Sequence, residues 1–178
     1  MVDSPDRASP RFPATIEAAV HTKINATLDD WQIGTGDLCI CGGARGGDIL
    51  FAEHCLENGA DLRLYLPLEK EAFLEASVRL PPDEDSDWEN RFNRILGRSK
   101  ACWPVEAPKD RNPFAANNAR MIDATKTKAN GGPIYLLLLW DGKGGDGEGG
   151  TSDLAHQLKS DAQHIVIIDP TELLSGDS

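Results

Sequence analysis

The sequence has no long apolar run. Its longest, residues 134–140, is the length of a strand and falls far short of the roughly 20 residues that cross a bilayer, so the chain reads as a soluble protein with no membrane partner. Residues 1–13 hold Ser, Pro, Asp and Arg but no apolar stretch of the kind a signal peptide carries. They read as a disordered N-terminus, and a cytoplasmic location is the default expectation. Basic residues are also scarce: Lys and Arg total 18 against 29 Asp and Glu, a formal net charge of −11. Such a surface repels a phosphate backbone, which argues against extended DNA or RNA as a ligand. A phosphate site in this chain has to be local, made from backbone N–H groups and a few arginines. The four cysteines, Cys39, Cys41, Cys55 and Cys102, lack zinc-ribbon spacing. They read as small buried side chains, with a metal or redox site as the alternative. His21, His54, His156 and His164 form no pair at ligand or triad spacing, and neither a metal nor a cofactor is expected.

What is present fits one domain. A chain of 178 residues can bury a continuous core, here expected over 14–170, followed by a C-terminal tail at 171–178. Ile16, Ala19, Val20, Ile24 and Leu28 recur at helical spacing between residue 14 and about residue 31. After Gly34 and Gly36 comes a short apolar strand at 38–41, in which Cys39 and Cys41 share a face. A helix at 49–56 and a strand at 62–66 complete a βαβ unit. A short helix is expected at 69–78. The acidic 81–85 loop has no core-facing residue, and Trp88, Phe92, Ile95 and Leu96 mark a helix starting near Asp87. A weak strand at 101–103, a helix at 113–129, a strong strand at 134–140, a helix at 151–158 and a last strand at 164–168 follow. This alternation predicts an α/β doubly wound, mostly parallel sheet of about five strands with helices on both faces.

Two glycine-rich turns stand where such folds place ligands. The first, Gly42-Gly43-Ala44-Arg45-Gly46-Gly47-Asp48, joins the first strand to a helix. Glycine there permits positive φ and a close approach of the backbone, while free N–H groups and the helix dipole face an anion. The run is neither the dinucleotide G-x-G-x-x-G pattern nor a P-loop. Arg45 can pair with a phosphate, and Asp48 can cap the helix or hold a ribose hydroxyl. In the second, the strong strand ends in Trp140-Asp141-Gly142, residues 143–148 read as very flexible, and Gly149-Gly150-Thr151-Ser152-Asp153 opens a helix. Thr151 and Ser152 offer backbone and hydroxyl donors to a phosphate. Two such turns at the carboxyl ends of strands can converge on one crevice.

The run from Gly42 to Asp48 with the later Gly150-Thr151-Ser152 resembles the paired motifs of the SLOG superfamily, the Rossmann-like group that includes Smf/DprA proteins and LOG-type phosphoribohydrolases. The likeness extends through Gly-Gly-Asp-Ile-Leu-Phe-Ala-Glu, Leu66-Pro67, Phe73-Leu74, Ser77-Val78, Trp88, Arg91-Phe92 and Trp140-Asp141-Gly142. It is similar to a signalling-associated subgroup and spans roughly 37–168. The resemblance implies a single Rossmann-like domain and a nucleotide or nucleotide-derived ligand. It implies less about catalysis. LOG enzymes carry Pro-Gly-Gly-x-Gly-Thr-x-x-Glu, whereas here the proline is absent and Leu154 stands three residues after Thr151.

Three functions follow as expectations. The first is a sensor or regulatory module that passes ligand occupancy to a partner protein or through self-association as a homo-oligomer. The second is a nucleoside-monophosphate phosphoribohydrolase or nucleosidase, with Asp153 or Glu53 stabilising positive charge on the ribose. The third is a ligand-free scaffold. Ser77, Arg91 and Asn118 are the other polar residues placed near the ligand. Their alternatives are an exposed ion pair of Arg91 with Glu89 or Asp87, a solvated amide at Asn118 and, for Glu53, a surface carboxylate. Trp88 and Trp103 read as core residues rather than base-stacking platforms.

Overall fold

A computed structural model describes residues 1–3, 9–81, 86–104, 111–143 and 149–175. Most of the acidic loop, most of the 143–148 stretch and part of the N-terminal segment therefore lie outside the described residues.

The amphipathic stripe near the N-terminus forms as expected. A 3-10 turn at Ala14–Ile16 leads into helix α1 (Glu17–Asp30), which buries Val20, Ile24 and Leu28 at successive helical turns. Strand β1 (Leu38–Cys41) buries Cys39 and Cys41 on one face. Helix α2 (Gly47–Glu57) then buries Ile49, Leu50, Ala52, Cys55 and Leu56, too wide a set for a one-sided stripe, because it is packed by α1, by helix α4 (Trp88–Arg98) and by strand β2 (Asp61–Tyr65). The helix expected over 69–78 is shorter and irregular. Helix α3 (Lys70–Phe73) passes into a π-helical turn at Leu74–Val78, which buries Leu74, Ser77 and Val78. Strand β3 (Lys100–Cys102) follows α4. Helix α5 (Pro113–Ala129) has Pro113 in its first turn, where its missing N–H costs nothing, and the Asn112 side chain caps it by accepting from the Phe114 N–H at 2.9 Å. Strand β4 (Tyr135–Leu139), helix α6 (Thr151–Leu158) and strand β5 (His164–Ile168) complete the alternation.

The expected single five-stranded doubly wound sheet does not form. Ladder hydrogen bonds join β1, β2 and β3 in that order into one parallel sheet, and β4 and β5 into a second. Strand β4 has leucines on both faces. Leu137 and Leu139 pack against the main core, while Leu136 and Leu138 build a smaller core with Ile122 of α5 and Ala155 and Leu158 of α6. Near the first turn, β4 meets the other half of the molecule through a side chain: a Cβ placed on Gly47 would stand 3.1 Å from Leu139 Cδ2.

The described residues at both chain ends pack on the core. Val2 and Phe12 are core residues, at 0% and 2% exposure, because they fill the space above Gly46. Residues 170–175 form a 3-10 helix, and Leu173 packs on the core. No helix among the described residues is long and apolar enough to cross a membrane.

Candidate functional site

The first glycine turn leaves β1 at Cys41 and enters α2 at Gly47. Gly43 and Gly46 have φ of +78° and +94°, a conformation that favours glycine, and the turn's N–H groups fold around a point beyond the strand. That point is occupied from within the chain. Asp48 turns back so that its Oδ2 accepts the Ala44 N–H at 3.1 Å. Burial raises the carboxyl above its usual range, and the Ala44 amide, followed by the positive amino terminus, offsets only part of that rise. Cys41 lies alongside, with its Sγ 3.7 Å from the Asp48 carbonyl. Burial, then the Asp48 charge, push its thiol well up.

Arg45 is committed elsewhere. Its Nε donates to the Val2 carbonyl at 3.0 Å and its Nη1 to the Arg79 carbonyl at 2.9 Å. Burial lowers its guanidinium from the usual value, opposed by the Asp3 carboxylate. Its backbone N–H donates to the Ser77 carbonyl at 3.0 Å, so Ser77, itself buried, reaches the turn through its main chain. Gly42, Gly43, Ala44, Arg45, Gly46, Asp48 and Ser77 thus form one cluster.

The second turn begins where β4 ends. Asp141, 6% exposed, meets Arg11 Nε through its Oδ2 at 3.1 Å and accepts the Lys143 N–H on Oδ1 at 3.0 Å. Gly142 follows with φ of +74°. Gly149 has φ of +89° and lies against the first turn of α5, where a Cβ would stand 2.5 Å from the Ala115 nitrogen. Gly150 is the N-cap of α6 and offers no side chain to cap it, and among the described residues no backbone carbonyl accepts from the N–H of Thr151 or Ser152. Asn118 Nδ2 reaches the Gly150 carbonyl at 3.4 Å and Asp153 Oδ2 at 3.5 Å. The Asp153 Oδ1 accepts from Gln157 at 2.8 Å, while the Ser152 hydroxyl lies 3.5 Å from His156 Nδ1. Asp141, Gly142, Gly149, Gly150, Thr151, Ser152, Asp153 and Asn118 belong to this second cluster.

Arg91 and Glu53 join neither cluster and find each other. Arg91 Nε and Nη2 hold both oxygens of Glu53 at 2.9 and 2.6 Å, and Nη1 holds Glu17 at 2.6 Å. The guanidinium also lies 4.2 Å from the centre of the Trp88 ring. Glu89 and Asp87, the partners suggested by sequence proximity, instead pair with Arg79 and Arg94. Partners 38 and 74 residues away become neighbours only once α1, α2 and α4 pack together.

Arg120, like Arg11 and Arg79, escaped the sequence reading. Arg120 of α5 caps the carboxyl ends of the first sheet, donating to the carbonyls of Leu66, Cys102 and Trp103 at 3.4, 2.9 and 2.8 Å and to Asn117 Oδ1 at 3.0 Å. Asn117 in turn donates to the Tyr65 carbonyl at 2.6 Å. The available signal was an Asn and an Arg three residues apart on one helix face. Among the described residues, no three His, Cys, Asp or Glu side chains gather as a metal-ion site. No protein-family model and no curated protein matches the sequence.

Proposed function

We propose that the chain is a SLOG-like, Rossmann-like module that holds a nucleotide or nucleotide-derived signal between its two glycine turns and works as a sensor or regulatory unit. The observation that carries this reading is the approach of Gly47, at the head of α2, to Leu139, at the end of β4. It sets the end of β4, where the second turn begins, against the head of α2, where the first turn ends, and the carboxyl ends of parallel strands are where α/β folds take ligands.

The turns differ in polarity. The first carries its own anion, Asp48, on the amide nest, so it suits hydroxyl or amino donors such as a ribose. The second offers the uncapped N-terminus of α6 with the hydroxyls of Thr151 and Ser152, which suits a phosphate. Binding is favoured over turnover because Glu53 is held in a bidentate pair by Arg91 and Asp153 is bonded to Gln157. We place the module in the cytoplasm, where Cys39, Cys41, Cys55 and Cys102 persist as free thiols. Its occupancy passes to a partner protein or through self-association.

The test is thermal unfolding with a panel of nucleoside 5′-monophosphates, alongside an assay for free base. A bound nucleotide at a hundredfold excess over its Kd adds about 2.7 kcal/mol of stability. Stabilisation without product supports the module. Base release abolished by Asp153→Asn makes it a hydrolase instead, and no response to any nucleotide leaves a scaffold.

A further inference from the structure

The N-terminal segment is fastened to both glycine turns. At the first, the Val2 N–H donates to the Arg45 carbonyl at 3.3 Å and Arg45 Nε returns a bond to the Val2 carbonyl at 3.0 Å. The side chains of Val2 and Phe12 close over Gly46, where a Cβ would stand 2.9 Å from the Val2 nitrogen and 3.0 Å from Phe12 Cε1. Asp3 locks the two parts of the segment together: its Oδ2 accepts the N–H groups of Arg11 and Phe12 at 2.6 and 2.7 Å, and its own N–H donates to the Phe12 carbonyl at 2.8 Å. From this anchor Arg11 reaches across to Asp141 at the second turn.

We propose that Arg11 is an autoinhibitory latch across the crevice: its ion pair with Asp141 ties the first turn to the second, and a nucleotide entering between them has to draw Arg11 off that carboxylate. The inference rests on the nucleotide reading of the crevice. The anchors and the latch differ in kind. Val2 and Phe12 are buried core residues, whereas Arg11 is a partly exposed side chain whose Nε meets Asp141 Oδ2 at 3.1 Å. A phosphate offers the guanidinium an alternative acceptor of the same charge as Asp141. While the latch is shut, the apparent affinity is the intrinsic affinity reduced by the fraction of molecules open.

The experiment compares the full chain with Arg11→Gln and Arg11→Lys by amide-resolved hydrogen exchange without ligand and by titration with nucleoside 5′-monophosphates. Arg11→Gln is expected to speed exchange at the amides of residues 11 and 143, which lean on Asp3 and Asp141, and to leave β2 unchanged. It is also expected to bind the responding nucleotide at least about threefold tighter, with Arg11→Lys near wild type. Unchanged exchange at both amides overturns the latch. Faster exchange with equal or weaker binding overturns the inhibition, since Arg11 then gates nothing or serves the ligand. If no nucleotide binds any of the three proteins, the nucleotide reading itself fails and the inhibition falls with it, an outcome distinct from measurable but equal affinities.

Discussion

Arg91 on α4 grips both carboxylate oxygens of Glu53 on α2, at 2.9 and 2.6 Å, and the pair is only 15% and 20% exposed. A planar guanidinium matched to a carboxylate and backed by a third contact to Glu17 is a packing joint between three helices. Removing Arg91 leaves Glu53 and Glu17 without their cation, and removing the Glu53 charge leaves Arg91 with Glu17 alone. Arg91→Met and Glu53→Gln are each expected to cost about 2 kcal/mol, between the values for exposed and fully buried pairs, read from the urea midpoint. The double variant should lose less than the sum. Glu53→Gln should leave any nucleotide response intact; loss of the response at unchanged stability would make Glu53 a ligand residue.

Gly149 and Gly142 share a positive φ but not a neighbourhood. A methyl group at Gly142 meets nothing within 4 Å among the described residues, whereas at Gly149 it would overlap the backbone of Phe114 and Ala115. Gly142→Ala is therefore expected to cost about 1 kcal/mol, the conformational penalty alone. Gly149→Ala should cost several times as much, because α5 and α6 have to separate. Thermal melts of the two variants check this, and equal losses would place the second turn away from α5.

Asp48 gives a pH signature. Its carboxyl is raised in the folded chain by burial, so it binds its proton more tightly folded than unfolded. The stability it contributes is present below the ordinary carboxylate range and is lost as pH rises through the folded value. Asp48→Asn, which keeps an oxygen for the Ala44 N–H, removes that loss. The difference in unfolding free energy, variant minus wild type, should become more favourable between pH 3 and pH 7. A difference that is flat or falls with pH would show that the Ala44 amide and the amino terminus outweigh burial.

The cysteines are graded by access. Cys39, Cys41 and Cys55 are buried; burial raises the Cys41 thiol, and the neighbouring Cys39 and then burial raise the Cys55 thiol. Cys102 is partly exposed at the end of β3. Iodoacetamide at neutral pH is expected to label Cys102 first, and the other three only on unfolding, as peptide mass spectrometry would show.

Local chemistry was legible where a short-range pattern decides it. The α1 stripe, the β1 face of Cys39 and Cys41, the Pro113 start of α5 and the boundaries of β5 all follow from periodicity and capping. Lateral order was not, because whether β1 pairs with β4 depends on backbone register between residues about a hundred positions apart. The N-terminal segment misled for a related reason: Val2 and Phe12 are isolated apolar residues in a polar stretch, and only the hole above Gly46 gives them a place. At the site, the glycines could be read from their backbone demands. The direction of each charged side chain could not: Arg45 turns to carbonyls of Val2 and Arg79, and Arg91 to partners on distant helices.

The central claim is that the two turns share one nucleotide. Gly150 has φ of −77° and ψ of 179°, extended backbone that any residue adopts, and it stands at the head of α6. Gly150→Val should therefore fold while placing a branched side chain over the proposed phosphate position. The measurement is the change in melting temperature of wild type and Gly150→Val with nucleoside 5′-monophosphates. The account predicts a rise for wild type with at least one nucleotide and none for Gly150→Val at a similar ligand-free melting temperature. Equal rises in both proteins, or none in either, would contradict it.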